Sequence, residues 1–278
     1  IALAILSLLA YNFFLLRSAS DYFDNEAQVI AQRYALQTVS SMEIQTEDSY
    51  SGIRTIASQL PSFTGYEQLD AFGERSAAQY GLDCLQFLKD GEAEYRYGEG
   101  VGSATAPYVQ SLVAGGEFGV SRIYEDLSLG LPCVAVYCPV VGSPDADGIL
   151  AYCRVLKLFN GTEHLSDFTK YYCAAEYDGS ILEMQTAEGV KTDVSHNIFT
   201  YLDTLTESKQ DIDPIKQLVE SKVGGTRQIH IDGEAYIVSI IPFTQLGDNC
   251  FVLQIFSVKD LLLSEDTLYD RMLTAFMC

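Results

Sequence analysis

Apolar and polar positions alternate along this chain with two different periods, and the changeovers between them define its organisation. The opening run Ile1–Leu16 is apolar apart from Ser7 and Asn12. From Ser18 to Leu60, Gly52 is the one Gly or Pro, and apolar residues recur at Tyr22, Val29, Ile30, Leu36, Val39, Met42, Ile53, Ile56 and Leu60. Steps of three, four and seven residues predict an amphipathic helix over residues 17–61, with Pro61 ending it. Such a helix extends about 60 Å, further than a small domain is wide.

Beyond Pro61 one pattern of strands and helices is written twice. The first copy has a strand–turn–strand from Cys84 to Gly98, a short helix from Pro107, the strand GVSRIY, and two longer strands, LPCVAVYCPVV and GILAYCRVL. The second runs from Tyr171 through YCAAEYDGSILEM, a helix from Asp213, the strand TRQIHI, and two closing strands, EAYIVSIIPF and CFVLQIFSV. Asp90-Gly91 matches Asp178-Gly179, Gln110 matches Gln217, and Pro139 matches Pro242. The wider offset of the later landmarks fits a helical insertion in the second copy, Asn197–Leu205. Both Asp-Gly pairs sit where a tight hairpin turn needs positive φ, whereas Gly115-Gly116 and Gly224-Gly225 follow helices and read as left-handed helix ends. Six elements repeated in order indicate two tandem modules, residues 62–157 and 158–258, each of α+β class with antiparallel sheets. After Val258 the pattern turns helical again (Leu261, Leu262, Leu263, Leu268, Met272), giving an exit helix over 259–278.

The two ends carry a topological expectation. Ile1–Leu16 is shorter than the roughly 20 residues that span a bilayer, and reads as part of a transmembrane helix; a cleaved signal peptide is the competing reading. Met272–Cys278 reads as the start of a second. Residues of about 20–269 are then expected outside the cytoplasm, as the soluble part of a membrane receptor, with a homodimer through the stalk helix. Composition narrows the picture further. Asp and Glu number 38 against 17 Lys and Arg, for a net charge of −21, a surface that repels phosphate and argues against nucleic acid as a partner. Hydrophobic residues make up 48% and aromatic residues 12%, enough for packed cores.

At this point the chain resembles the double Cache family of bacterial extracellular sensors. The residues that carry the likeness are PYVQSLVAGGEFGVSRIYE, LPCVAVYCPVV and GILAYCRVL in the first module. In the second they are AAEYDGSILEM, IKQLVESKVGGTRQIHIDGEAYIVSIIPF and CFVLQIFSV. The resemblance implies a long membrane-leaving helix, a membrane-distal and a membrane-proximal PAS-like module, and a helix returning to the bilayer. It also implies a sensor that binds a small molecule in the distal module and passes a helix shift across the membrane. Receptors of this look end in diguanylate cyclase, histidine kinase or chemotaxis-signalling domains, and the cyclase type is closest. Amino-acid-binding members carry an Arg and a Trp before the Tyr that opens the distal helix. Here that stretch reads Thr105-Ala106-Pro107-Tyr108, so both are missing. Tyr108 and Tyr124 match the family's two tyrosines, and Cys153 falls where its Asp would hold an amino group.

Chemistry is scarce elsewhere. The sequence holds no nucleophile elbow, HExxH, phosphate-cradling glycine loop or EF-hand loop, so no catalytic role and no cofactor are expected. His164 and Asp167 share a helix-like spacing but lack a third ligand. Six cysteines (Cys84, Cys133, Cys138, Cys153, Cys173 and Cys250) lie in apolar strand-like runs, where they act as small buried hydrophobes; an even number also suits disulfides in an oxidising compartment. Arg122 and Tyr124 alternate along one strand-like run, with Tyr97, Tyr137 and Tyr152 on neighbouring strands. An arginine in such company needs a partner: either an acidic neighbour such as Glu125 or Asp126, or a small polar ligand in a pocket lined by Tyr97, Tyr108, Arg122, Tyr124, Tyr137, Tyr152 and Cys153. The remaining reading of the whole is an interaction ectodomain whose cavities are filled by its own side chains.

Overall fold

The computed structural model describes residues 2–98, 107–126, 131–154, 168–186, 189–190, 197–206, 211–245 and 250–264. The chain enters on one continuous helix, α1 (Ala2–Gln59), which includes the apolar opening run as well as the stalk. A 3-10 turn follows, Leu60–Ser62, with Pro61 at its start, where a missing backbone N–H costs nothing. Among the described residues no helix is long and apolar enough to cross a membrane. The expected second anchor, Met272–Cys278, lies outside the described residues.

The elements then run α2 (Tyr66–Gln79), β1 (Cys84–Lys89), β2 (Glu92–Tyr97), α3 (Pro107–Gly115), β3 (Gly119–Val120), β4 (Tyr124–Asp126), β5 (Leu131–Pro139) and β6 (Gly148–Arg154). The second series is β7 (Thr169–Glu176), β8 (Ile181–Thr186), β9 (Gly189–Val190), α4 (Ile198–Leu205), α5 (Asp213–Ser221), β10 (Gly225–Ile231), β11 (Glu234–Phe243), β12 (Cys250–Ser257) and α6 (Val258–Ser264). The first sheet has the order β2-β1-β6-β5-β3, with β4 also pairing β5; the second has β10-β11-β12-β7-β8-β9. Read from β8, the second sheet repeats the first: hairpin, last strand, penultimate strand, third strand. The doubled pattern in the sequence is thus a doubled α+β module.

The compact units do not follow the sequence boundaries. Val39–His164 and Phe243–Cys250 form one unit; Ile1–Thr38, Leu165–Pro242 and Phe251–Cys278 form the other. Helix α1 therefore contributes to both, and its buried stripe (Ala27, Ile30, Ala31, Ala35, Val39, Met42, Ile53, Ile56) runs through residues of each. Three apolar positions that the periodicity assigned to this stripe, Tyr22, Val29 and Leu36, are exposed instead, because alanines take the inward places between residues 27 and 35.

Local chemistry sets the turns. Asp90 and Gly91 both have positive φ (50° and 79°) between β1 and β2, the signature of a two-residue hairpin. Asp232 and Gly233 do the same (51° and 77°) between β10 and β11. In the Asp178-Gly179 turn only the glycine is left-handed, at 90°. Helix α4 occupies the expected insertion, and its cap Asn197 accepts from the N–H groups of Phe199 and Thr200 (3.0 and 3.4 Å), two donors that the helix itself cannot satisfy. The strand expected over GVSRIY is two short strands, β3 and β4, interrupted at Ser121–Ile123. Ser121 pins the break: its N–H donates to the Ala135 carbonyl (2.8 Å) and its Oγ accepts from the Ala135 N–H (2.9 Å).

Candidate ligand site and a buried acid

Strand alternation sorts the five candidate residues that lie in strands, Tyr97, Tyr124, Tyr137, Tyr152 and Cys153, onto two faces of the first sheet. Tyr137 and Tyr152 are buried in one cluster with Cys84, Leu88, Val109, Ala135 and Leu150, and Leu112, Val113 and Tyr124 pack against it. This is the face beneath α3. Tyr124 stands opposite Cys133, and Tyr152 stands opposite Cys84 and Ala135. The Tyr137 ring lies over Gly148, where a Cβ would fall 2.6 Å from it. Burial pushes the Tyr137 phenol above its ordinary range, with the Asp147 and Cys138 charges adding to it. Tyr108 belongs to the first turn of α3, but its side chain is outside the described residues.

Two candidates face the other way. Tyr97 pairs with Leu85, which pairs with Ala151, so its side chain lies on the face that holds Phe87 (ring centroids 5.4 Å). Its ring covers Gly73 of α2, where a Cβ would collide with it. Cys153 is next to Tyr152 on β6 and must point oppositely; there its charge helps burial push the Tyr50 phenol of α1 upward. The Tyr50 hydroxyl donates to the Gln245 carbonyl at 2.9 Å. The position that the resemblance gave to an amino-group ligand is thus on the helix α1 side of the sheet. Arg122 sits in the Ser121–Ile123 break rather than in a strand, and it is exposed. Its strand-like alternation with Tyr124 is lost at that break. The structure therefore joins Tyr124, Tyr137 and Tyr152, leaves Arg122 at the surface, and separates Tyr97 and Cys153 from them.

The second module is built differently. Beneath α4 and α5 its sheet face is an apolar core of Cys173, Ala175, Met184, Ile198, Leu202, Ile215, Val219, Ile229, Phe251, Leu253 and Ile255, among others. The opposite face carries polar groups into burial, a feature that sequence reasoning missed. Gln254 of β12 donates to Thr38 of α1 (3.2 Å), and the Tyr34 ring of α1 lies tilted against those of Phe168 and Phe256 (centroids 5.8 and 6.5 Å). On the same face Glu183 of β8 stands opposite Ala174 of β7. Its Oε1 accepts from Gln185 Nε2 at 2.7 Å, while among the described residues Glu183 Oε2, Gln254 Oε1 and Ser239 Oγ have no hydrogen-bond partner. Burial pushes the Glu183 carboxyl up to about 7, against a lowering by Gln185. Its charge in turn raises Tyr172 and Cys173, both already pushed up by their own burial.

All six cysteines of the described residues are buried thiols, with no disulfide among them. No group of three or more His, Cys, Asp or Glu in the described residues is placed to hold a metal ion; His164 and Asp167 lie outside them.

Two α+β modules in tandem, preceded by a long helix, make up the fold. The chain has the double Cache fold. It is similar to the ligand-binding domain of the Campylobacter jejuni chemoreceptor Tlp3 in complex with 4-methylisoleucine, with a TM-score of 0.57 and 8% identity over 86% of this chain and 94% of that one. It is likewise similar to that of the Pseudomonas fluorescens chemoreceptor CtaA in complex with L-isoleucine, with a TM-score of 0.56 and 12% identity over 87% and 96%. The Pseudomonas aeruginosa PAO1 chemoreceptor PctC, in complex with GABA, gives 0.51 and 16% over 80% and 96%. At these identities the likeness is one of fold. No protein-family model matches the chain, and no curated protein matches it in sequence.

Proposed function

We propose that this chain is the extracellular sensing part of a bacterial membrane receptor, and that it takes a small polar molecule on the α3 face of its first module. The observation that supports this reading most is the gathering of Tyr124, Tyr137 and Tyr152 beneath α3, in a fold whose solved relatives hold amino acids or GABA. Tyrosines offer hydrogen bonds on an otherwise apolar wall, the usual make-up of a small-molecule site. Tyr108, in the first turn of α3, and the exposed Arg122 are the other proposed contacts. Tyr97 and Cys153, on the opposite face, belong to the sheet's contact with α1 and α2 in this proposal. Ligand acts by binding one arrangement of the helices better than the other, which the flanking helices carry across the membrane to an output domain, of which a diguanylate cyclase or histidine kinase is the proposed type.

A thermal-shift screen of amino acids, amines and small carboxylates tests the site. A ligand at 100 times its Kd stabilises the fold by about 2.7 kcal/mol. Tyr124→Phe with Tyr152→Phe keeps the rings and removes two hydroxyls, so binding is expected to weaken at least about tenfold, the cost of one or two hydrogen bonds. A ligand bound equally well by the double variant places the site elsewhere.

The partner proposed for α1 is a second copy of the chain. Tyr11, Tyr22, Val29 and Leu36 are exposed, and steps of eleven and seven residues align them in one stripe, as a helix–helix seam requires. Sedimentation velocity should show a dimer that Val29→Glu with Leu36→Glu converts to monomer. A dimer indifferent to both charges would exclude this seam.

A further inference from the structure

We propose that Glu183 is a proton switch of the second module, titrating inside the sheet face that packs against α1. This goes beyond ligand sensing in the first module and does not depend on it. The geometry is specific. Glu183 is 5% exposed, Gln254 1% and Ser239 0%, and all three belong to one face by alternation, since Met184, Leu253 and Val238 beside them belong to the apolar core on the other side. Gln254 ties that face to α1 through Thr38. Three buried oxygens, one on each of these residues, lack a hydrogen-bond partner among the described residues. A carboxylate buried there gives up its hydration and gains one hydrogen bond, from Gln185. A carboxylic acid there, being neutral, loses less.

The surroundings offer the charge little relief. From β7, Tyr172 and Cys173 feel it as repulsion when ionised themselves. Lys170, on the same face of β7, is engaged with Asp260 of α6 at 2.8 Å. From β8, the neutral Gln185 is the group that bonds the carboxylate and lowers its pKa. The balance therefore favours the protonated acid up to neutral pH, with the carboxyl at about 7 against roughly 4.3 in an unfolded chain.

The sign follows from proton binding. Between those two values the folded chain holds a proton that the unfolded chain has lost, so stability falls as pH rises, and above about 7 it levels off. Glu183 thus stabilises the acidic side and loosens the module on the alkaline side, the opposite of a salt-bridged carboxylate.

The test uses the whole chain, melted at closely spaced pH values from acid to mildly alkaline at constant ionic strength. The wild-type melting temperature is expected to fall as pH rises and flatten above neutrality. Glu183→Gln, neutral at every pH, should remove that fall, whereas Gln185→Leu should carry it to higher pH by deleting the bond that favours the carboxylate. Histidine contributions are common to all three chains and cancel in the comparison. Should Glu183→Gln not fold, carbon-13 NMR of glutamate carboxyls in the wild type supplies the second measurement, with one carboxyl titrating near neutrality expected. A Glu183→Gln chain with the wild-type pH profile, or a wild-type spectrum in which every glutamate titrates in the ordinary range, overturns the proposal.

Discussion

Replacing Phe87 with alanine should cost the first module about 3–5 kcal/mol, the range for removing a large buried aromatic side chain. Phe87 is fully buried in the middle of β1. Its ring meets Phe72 of α2 (centroids 6.4 Å), Tyr95 (6.4 Å) and Tyr97 (5.4 Å) of β2, so one side chain joins a helix and two strands. The neighbours cannot collapse into the space left: Tyr97 is already held over Gly73, and Phe72 is stacked on Phe63 at 4.3 Å. Denaturant unfolding followed by circular dichroism measures the loss, and the melting temperature should drop by roughly 10 °C. A loss under about 1.5 kcal/mol, typical of a volume-conserving swap, would mean that this cluster does not organise the module.

Gly224→Ala should cost the second module roughly 2–5 kcal/mol, an unusual amount for one methyl group. Gly224 has φ 75°, a left-handed conformation that costs an alanine about 1–2 kcal/mol. The added Cβ would also lie 2.7 Å from the Ile240 carbonyl oxygen and 2.8 Å from Cδ of Pro242. Those are a strand backbone and a rigid ring, neither able to swing aside, so overpacking adds about 1–3 kcal/mol. Gly233→Ala is the comparison: its φ is similar, at 77°, but the space around it is open, so it should lose only the conformational part. Equal losses for the two variants, measured by urea unfolding, would show that the close approach to β11 carries no energy.

The same glycine shows how far the sequence could be read. Gly224-Gly225 follows a helix and reads as its left-handed end, yet Lys222 takes that conformation, at φ 56°, and the glycine serves the approach to β11. The repeat was legible because its order survives sequence drift: hairpin, helix and two long strands recur with their turn residues. Helix α2 was not, since its buried stripe of Leu69, Phe72, Ser76 and Ala77 is short and half made of small residues. At the site, the tyrosines were visible as types but not as a surface. Adjacent Tyr152 and Cys153 must diverge by alternation alone, a signal present in the sequence, whereas placing Tyr97 needed the β1–β2 register. Glu183 stayed hidden because a glutamate in ILEMQT reads as the solvent side of an edge hairpin, and only tertiary burial says otherwise.

The burial of the six cysteines among the described residues has a consequence for biogenesis. Once folded, each of these six thiols is sealed from oxidants and from thiols in solution. During synthesis the same groups are bare and reactive. A chain emerging into an oxidising compartment must close its two cores faster than disulfide-forming catalysts capture its sulfurs, because the folded structure holds these six as thiols. Rapid local hairpin closure at Asp90-Gly91 and Asp232-Gly233 would then act as a safeguard of yield as much as a choice of topology.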